Sequence, residues 1–121
     1  MYLIDSNLII YSSQSQFSYL RPIITHPDAS VSEITRLETL GFNRLDSRDE
    51  IYLQSLFSVI AIQPITTTII DKAIELRQYR KMSVGDAIIA ATAVLLNVEL
   101  YTHNTQDFAW ISGLKVIDPI T

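Results

Sequence analysis

The stretch that decides the fold reads VGDAIIAATAVLLNVELYT and spans residues 84–102. Residues 84–96 are apolar on almost every side of a helix, which predicts a helix that is buried all round. Four of its residues are alanines, which allow neighbouring elements to approach closely. After one Asn, Val98 to Thr102 form a short apolar run that predicts a strand. A buried helix followed at once by a buried strand is typical of an α/β domain.

The same alternation extends outward to both ends of the chain. Further strands are predicted at residues 2–5, 29–32, 59–62 and 115–117. Helices are predicted at residues 17–24, 33–44, 47–58, 66–81 and 105–111, with a helical patch also following Ser6-Asn7. Strands that are apolar throughout are required by a sheet buried on both faces. The predicted fold class is therefore a three-layer α/β/α sandwich, with a mostly parallel sheet of four or five short strands in a single domain, 1–121.

Two of these helices have apolar positions that predict which side is buried. In helix 33–44 these positions are Ile34, Leu37, Phe42 and Leu45, and in helix 66–81 they are Ile69, Ile70, Ala73, Ile74 and Leu76. Ser47 and Glu50 have the spacing of a capping box, which predicts Ser47 as the N-cap of helix 47–58.

Composition and charge exclude several kinds of functional site. The chain has 121 residues and a formal charge of −4, so a generic basic surface for nucleic acid is excluded. It contains no Cys and two His, which excludes a thiolate zinc site, a Cys nucleophile and a multi-histidine centre. Any metal must be held by oxygen. The start has no secretory-signal pattern and the longest apolar run is too short for a bilayer span, so we expect a soluble cytoplasmic domain.

Acidic residues lie where a parallel sheet presents its ligand site. Asp5 directly follows the first strand and Asp107 comes shortly after the strand that ends at Thr102. Ligands of open parallel sheets bind beyond the carboxyl ends of the strands. Asp86 occupies the first turn of the buried helix, where the helix dipole favours the ionised carboxylate.

Glu38 is unusual because its helical neighbours at i−4 and i+4 are the apolar Ile34 and Phe42. A carboxylate beside an apolar face costs several kcal/mol unless it is paired or bound to a cation. Converging carboxylates without matching Arg or Lys repel one another, and a hard divalent cation such as Mg²⁺ or Mn²⁺ resolves this. The pattern points to metal-dependent hydrolysis of a phosphate ester.

Four segments in register resemble a known family. They are YLIDSN (residues 2–7), VSEITRLE (31–38), GDAIIAATA (85–93) and YTHNTQDF (101–108). Each segment alone is weak, but together they resemble a PIN domain of the VapC type, the toxin half of prokaryotic toxin–antitoxin pairs. One departure is Gly85, which stands where many relatives carry Pro.

The resemblance implies a site, an activity and partners. Asp5, Glu38, Asp86 and Asp107 would be the catalytic, metal-binding acids for Mg²⁺ or Mn²⁺, and Ser6, Thr102 and Asn104 would support them. The implied activity is endoribonuclease cleavage of single-stranded RNA or a structured RNA such as tRNA, with water attacking the phosphodiester to leave a 5′-phosphate and a 3′-hydroxyl. The implied partners are a small antitoxin, which lays an apolar segment in a groove and a basic side chain among the acids, and a second copy in a homodimer.

Plainer interpretations stand beside these. Asp5 and Asp86 could serve only as acids at helix N-termini, and Asp107 as a surface acid. The basic residues Arg77, Arg80 and Lys81 are either a solvated helix C-terminus or contacts for RNA phosphates. The alternative function is a catalytically silent PIN-like module that binds RNA or protein. A phosphorylatable receiver is excluded because Gln63-Pro64, with no Asp, follow the predicted central strand.

Glu33 is a second acid on the predicted helix of Glu38 and could be mistaken for a site residue. It precedes Glu38 by five residues, which places it about 140° away around the helix. We therefore interpret Glu33 as an acid of the first helical turn.

Overall fold

A five-stranded sheet forms the centre of the computed structural model, which describes residues 1–121. In chain order the strands are β1 (Tyr2–Ile4), β2 (Ala29–Ser32), β3 (Ala61–Gln63), β4 (Glu99–Tyr101) and β5 (Val116–Ile117). In space their order is β3-β2-β1-β4-β5, and every neighbouring pair is parallel. β1 has β2 on one side and β4 on the other, so the strand order reverses here. Ligands of open parallel sheets bind in a crevice at such a reversal, here beyond the carboxyl ends of the neighbouring strands β1 and β4.

Helices connect the strands and cover both faces of the sheet. They are α1 (Ser6–Ser12), a 3₁₀ helix (Ser15–Leu20), α2 (Arg21–Ile24), α3 (Glu33–Leu40), α4 (Ser47–Phe57), α5 (Thr67–Tyr79), α6 (Val84–Leu96) and α7 (Thr105–Phe108). The predicted fold class, an α/β sandwich with a parallel sheet, is confirmed. None of the helices combines the length and the apolar character that crossing a bilayer requires.

Two apolar clusters lie on opposite faces of the sheet. One joins Leu3 and Leu100 to α5, α6 and Phe108, and the other joins Ile4 and Val31 to α1 and α4. Leu3 and Ile4 belong to different clusters because successive side chains of a strand point to opposite faces. The sheet is therefore buried on both sides, as its apolar strands predicted.

The helix that bears Glu38 differs from the prediction. α3 ends at Leu40 rather than near residue 44, and its buried residues are Thr35 and Thr39. Two of the four positions predicted to be buried are not: Leu37 is 68% exposed, and Phe42 lies outside the helix and is 55% exposed. The other two, Ile34 and Leu45, are partly buried against the apolar clusters. Thr39 donates its hydroxyl to the Thr35 carbonyl at 2.8 Å, so a polar residue enters the core with its hydrogen bond satisfied.

Other differences are smaller. In α5 the buried residues are Ile69, Ala73 and Leu76, while Ile70 and Ile74 are exposed. The N-cap of α4 is Asp46, not Ser47, and its side chain accepts from the Asp49 N–H. The third strand begins at residue 61 rather than 59, and α7 ends at residue 108 rather than 111.

The 84–102 stretch folds as its sequence predicts. α6 spans the predicted residues 84–96, and the Ser83 side chain caps it by accepting from the Asp86 N–H. The helix ends at Asn97, which adopts the left-handed conformation with φ 55°. Asn tolerates this conformation better than most residues, so the chain can leave the helix and enter β4 within two residues. This turn therefore connects the helix that bears Asp86 to the strand that precedes Thr102.

Candidate active site

Asp5 lies at the carboxyl end of β1, beside the neighbouring strand β4. Its backbone N–H donates to the Tyr101 carbonyl at 2.9 Å, which continues the pairing of the two strands. The Thr102 hydroxyl donates to Asp5 Oδ2 at 2.7 Å, and the Ser6 N–H donates to Asp5 Oδ1 at 2.8 Å. The side chain is buried, with 4% of its surface exposed. Each carboxylate oxygen is thus held by one donor in a buried position.

The charge of Asp5 has no basic partner. No Lys, Arg or His forms an ion pair with Asp5, Glu38, Asp86 or Asp107. Burial, together with the nearby carboxylates of Asp86 and Glu38, raises the pKa of Asp5 to about 6, although the hydrogen bonds from Thr102 and Ser6 lower it. A buried carboxylate with such a pKa is unsatisfied as an anion and is a candidate ligand for a cation.

Glu38 reaches the same place from α3 through a pair of buried hydroxyls. The Ser6 hydroxyl donates to Glu38 Oε1 at 2.8 Å and lies 2.9 Å from Thr35 Oγ1. The same Ser6 supplies the backbone donor to Asp5, so one residue contacts both acids. Glu38 itself is exposed, and it lies in a groove whose lining includes the apolar Phe42, so it borders an apolar surface as expected.

Gly85 makes room for the Glu38 carboxylate. A Cβ at this position would lie 2.9 Å from Glu38 Cδ and 3.2 Å from Glu38 Oε1, closer than side chains normally approach. The missing side chain lets Glu38 pack against the first turn of α6, immediately beside Asp86. The residue that departs from the relatives' Pro is therefore the one that the Glu38 carboxylate touches.

Asp86 and Asp107 complete the acidic group. Burial raises the pKa of the half-buried Asp86, and the charges of Asp107 and Glu38 raise it as well, whereas the Ser83 hydrogen bond lowers it. The net pKa is therefore raised although a helix dipole favours the ionised carboxylate, because burial and like charges prevail. Asp107 is exposed, in α7. No three of these acids stand close enough to form a ready-made metal site.

The supporting residues form a chain of hydrogen bonds behind Asp5. Thr102 is fully buried, and its hydroxyl oxygen accepts from the Asn104 N–H at 3.0 Å. The Asn104 side chain is exposed and does not cap α7. Sequence reasoning missed Thr35, although its place one turn before Glu38 on the same helix was a usable signal.

Asn7 is unusual among the polar residues of α1. Both polar atoms of its side chain are buried without a hydrogen-bond partner. Asn7 directly follows Ser6 in α1.

The remaining candidates lie around the acids without entering the group. Glu33 pairs with Arg36 at 2.7 Å, as its interpretation as a first-turn acid allows. Arg77 donates to the Met82 carbonyl at 3.1 Å, and Arg80 lies over the Trp110 ring. Together with the exposed Lys81, these two arginines occupy the end of α5 and the link to α6, and none of the three forms an ion pair.

Comparison with known families decides the classification. A family model described as PIN domain matches residues 2–113. The chain belongs to the PIN domain family. This match contains all four candidate acids and confirms the family resemblance noted in the sequence.

Individual relatives of this PIN domain cover almost its whole length. Ribonuclease VapC10 from Mycobacterium tuberculosis is 28% identical over 130 residues, which cover 95% of this chain and 91% of the relative. A chain in a toxin–antitoxin complex from Klebsiella pneumoniae is 33% identical with a TM-score of 0.80, covering 99% of this chain and 98% of its own. DNA-bound VapBC from Salmonella typhimurium, at 17% identity and a TM-score of 0.82, shares the fold over 97% of this chain and 96% of its own.

The raised pKa of Asp5 predicts a pH-dependent cost of folding in the metal-free PIN domain. Because the folded pKa of about 6 lies above the ordinary Asp pKa of 3.8, the folded state binds the proton more tightly. Stability from this group is fully present below pH 3.8 and is lost as the pH rises through 6. We expect the stability of Asp5→Asn relative to wild type to rise by about 2 kcal/mol between pH 4 and pH 7.5. Urea unfolding in EDTA measures this difference, and a pH-independent difference would contradict the prediction.

Proposed function

We propose that this PIN domain is a divalent-metal-dependent endoribonuclease and the toxin of a toxin–antitoxin pair. The observation that carries the proposal is the buried carboxylate of Asp5, which forms no ion pair with a basic side chain. The carboxylates of Glu38, Asp86 and Asp107 complete the acidic group around it. The names of the relatives, a ribonuclease and a toxin–antitoxin complex, support the activity and its biological setting.

The donor set fits a hard cation. Asp5, Glu38, Asp86 and Asp107 offer carboxylate oxygens only, which are the ligands that Mg²⁺ and Mn²⁺ prefer. Their like charges repel one another, and a bound cation would offset this repulsion. Such an ion, when bound, would activate water and neutralise the charge of the phosphodiester.

The chain's own residues prepare the site in two ways. Thr102 and Ser6 hold the Asp5 carboxylate in one orientation, so its direction is set before any ligand binds. Ser6 and Thr35 hold Glu38 beside the first turn of α6. Water would attack the phosphodiester and leave a 5′-phosphate and a 3′-hydroxyl on single-stranded or structured RNA such as tRNA.

An RNA cleavage assay tests this function. We expect purified protein to cleave single-stranded RNA with Mg²⁺ or Mn²⁺ and to lose the activity in excess EDTA, with recovery on adding the metal back. The products should carry 5′-phosphates, which a 5′-phosphate-dependent exonuclease will degrade. Cleavage that persists in EDTA would contradict metal dependence. RNA binding without cleavage under any of these conditions would instead support a silent RNA-binding module.

Two exposed apolar surfaces support the proposed partners. A groove that includes Glu38 is lined by the apolar Ile10, Phe42, Leu45 and Leu53, and it suits an apolar segment of an antitoxin with a basic side chain directed at the acids. A second patch on α5 and α6 exposes Ile70, Ile74 and Val84 and suits the interface of a homodimer. The proposed location of the toxin is the cytoplasm, where its RNA substrates are.

A further inference from the structure

Two aromatic side chains, the exposed Tyr79 and the partly buried Trp110, lie beside α7, which bears Asp107. The rings of Tyr79 and Trp110 are parallel within 2°, with 6.1 Å between their centroids. The Arg80 guanidinium carbon lies 5.3 Å from the centroid of the Trp110 ring. Tyr79 is 84% exposed, so most of its ring is open to solvent. We call these three residues the aromatic platform.

The platform is held in place and connected to the candidate site. Trp110 donates its indole N–H to the Asp107 carbonyl at 2.9 Å and packs against the apolar cluster that contains Phe108. Its ring is therefore anchored one turn from the proposed metal ligand Asp107. Arg80 is connected to the site from the other direction, because the link that follows it enters α6 and reaches Asp86 within six residues.

We infer that the aromatic platform stacks a nucleobase of single-stranded RNA while Arg77, Arg80 and Lys81 contact the neighbouring phosphates. Exposed aromatic rings with cations beside them are the combination by which proteins hold single strands without reading their sequence. The stacked nucleotide would place the adjacent backbone near Asp107 and Asp86. The inference rests on the proposed function for its substrate, and it adds the surface that holds that substrate.

Charge favours RNA over a protein partner for this surface. The chain carries a formal charge of −4, and the four candidate acids repel a phosphate backbone. Arg77, Arg80 and Lys81 form no ion pair with a carboxylate, so their charges are available beside the acids. An RNA strand that approaches the acidic group therefore meets uncompensated positive charge at this side of it.

Trp110 is the only Trp in the chain, so its fluorescence reports on the platform alone. Wild-type protein in EDTA and low salt, where cleavage does not occur, is titrated with oligouridylate and with an abasic ribose-phosphate oligomer of the same length. We expect the oligouridylate to quench the fluorescence because a base stacks on the indole, and the abasic oligomer to leave it nearly unchanged.

Variants separate stacking from general structure. Tyr79→Ala and Trp110→Ala should each weaken binding of fluorescein-labelled oligouridylate by about tenfold, the effect of losing one stacked base. Trp110→Phe should restore most of the affinity because it keeps an aromatic ring. Tyr19→Ala is the matched control, since Tyr19 is also exposed but lies in the 3₁₀ helix. Circular dichroism of each variant verifies that the fold is retained.

Each outcome supports or overturns the inference independently of cleavage. Selective quenching and weakened binding support it even if the protein cuts no RNA, in which case only the proposed activity fails. Equal quenching by both oligomers would mean that the surface contacts only the phosphates of the strand, and it would overturn base stacking. Wild-type affinity in Tyr79→Ala and Trp110→Ala would overturn the platform and assign this surface to a protein partner, whether or not the enzyme cleaves RNA.

Discussion

Asp5→Asn is expected to lower the rate of RNA cleavage by about a thousandfold or more, because the loss of several kcal/mol of charge stabilisation at a phosphorus centre corresponds to such a factor. The substitution keeps the size of the side chain and removes the charge of the most buried acid in the group. Single-turnover cleavage of a labelled RNA with Mn²⁺ measures the effect.

The same substitution should not unfold the protein. Asn retains one oxygen for the donors that hold Asp5, and the Thr102 hydroxyl can rotate to accept from the amide N–H at the other position. Loss of charge also relieves the repulsion from Asp86 and Glu38. At pH 7.5 in EDTA we therefore expect Asp5→Asn to unfold at the same urea concentration as wild type or at a higher one.

Asp71→Asn is the matched control for this prediction. Asp71 is exposed on α5 and forms no ion pair. Its replacement by Asn removes one negative charge from the protein, as Asp5→Asn does. The Asp71→Asn variant should cleave RNA like wild type. Equal activity of wild type, Asp71→Asn and Asp5→Asn would remove Asp5 from the site.

Phe108→Ala is expected to lower the free energy of unfolding by about 3–5 kcal/mol, the range for a large aromatic residue removed from a core. Phe108 has none of its surface exposed and packs in the cluster that contains Leu3 and Leu100. Because a domain of this size is stable by only about 5–15 kcal/mol, a large part of the total depends on this one side chain.

The loss should reach the site as well, because Phe108 is what attaches α7 to the core. α7 has four residues and no side-chain cap, so it cannot hold its own conformation in isolation. Without the Phe108 ring, both Asp107 and Trp110 lose their common support. We expect cleavage to fall even at low temperature, where the variant remains folded.

Urea unfolding of wild type, Phe108→Ala and Leu37→Ala tests this role. Leu37 is 68% exposed on α3, so its truncation should cost less than about 0.5 kcal/mol. If Phe108→Ala unfolded at the same urea concentration as Leu37→Ala, the packing described for α7 would be wrong.

The fold could be predicted wherever one physical signal dominated. The bounds of α6 follow directly from an apolar run that ends at Asn97, and β2 has the predicted bounds, 29–32. α3 could not be predicted in this way, because Thr35 and Thr39 bury their hydroxyls by bonding them within the protein. Apolar periodicity counts such residues as exposed and assigns burial to Leu37 and Phe42, which face solvent.

The site could be predicted only in part for a related reason. The positions of Asp5 and Asp107 after strands followed from topology, whereas Glu38 was singled out by its apolar helical neighbours and assigned to the site by the family resemblance. The hydrogen bond from Ser6 to Glu38 joins residues 32 apart, and no local pattern reveals it. The raised pKa of Asp86 depends on burial and on Asp107, so a rule about helix ends alone does not give its direction.

The position of β4 in the sheet has a consequence for synthesis of the protein. β4 lies between β1 and β5, and its Thr102 bonds to Asp5, which is 97 residues earlier in the chain. A nascent chain that has released only its first half from the ribosome contains Asp5 and Glu38 but lacks Asp86, Asp107 and the donor that orients Asp5. If this group cuts RNA as proposed, an unfinished toxin is harmless to the ribosome and the messenger RNA that produce it.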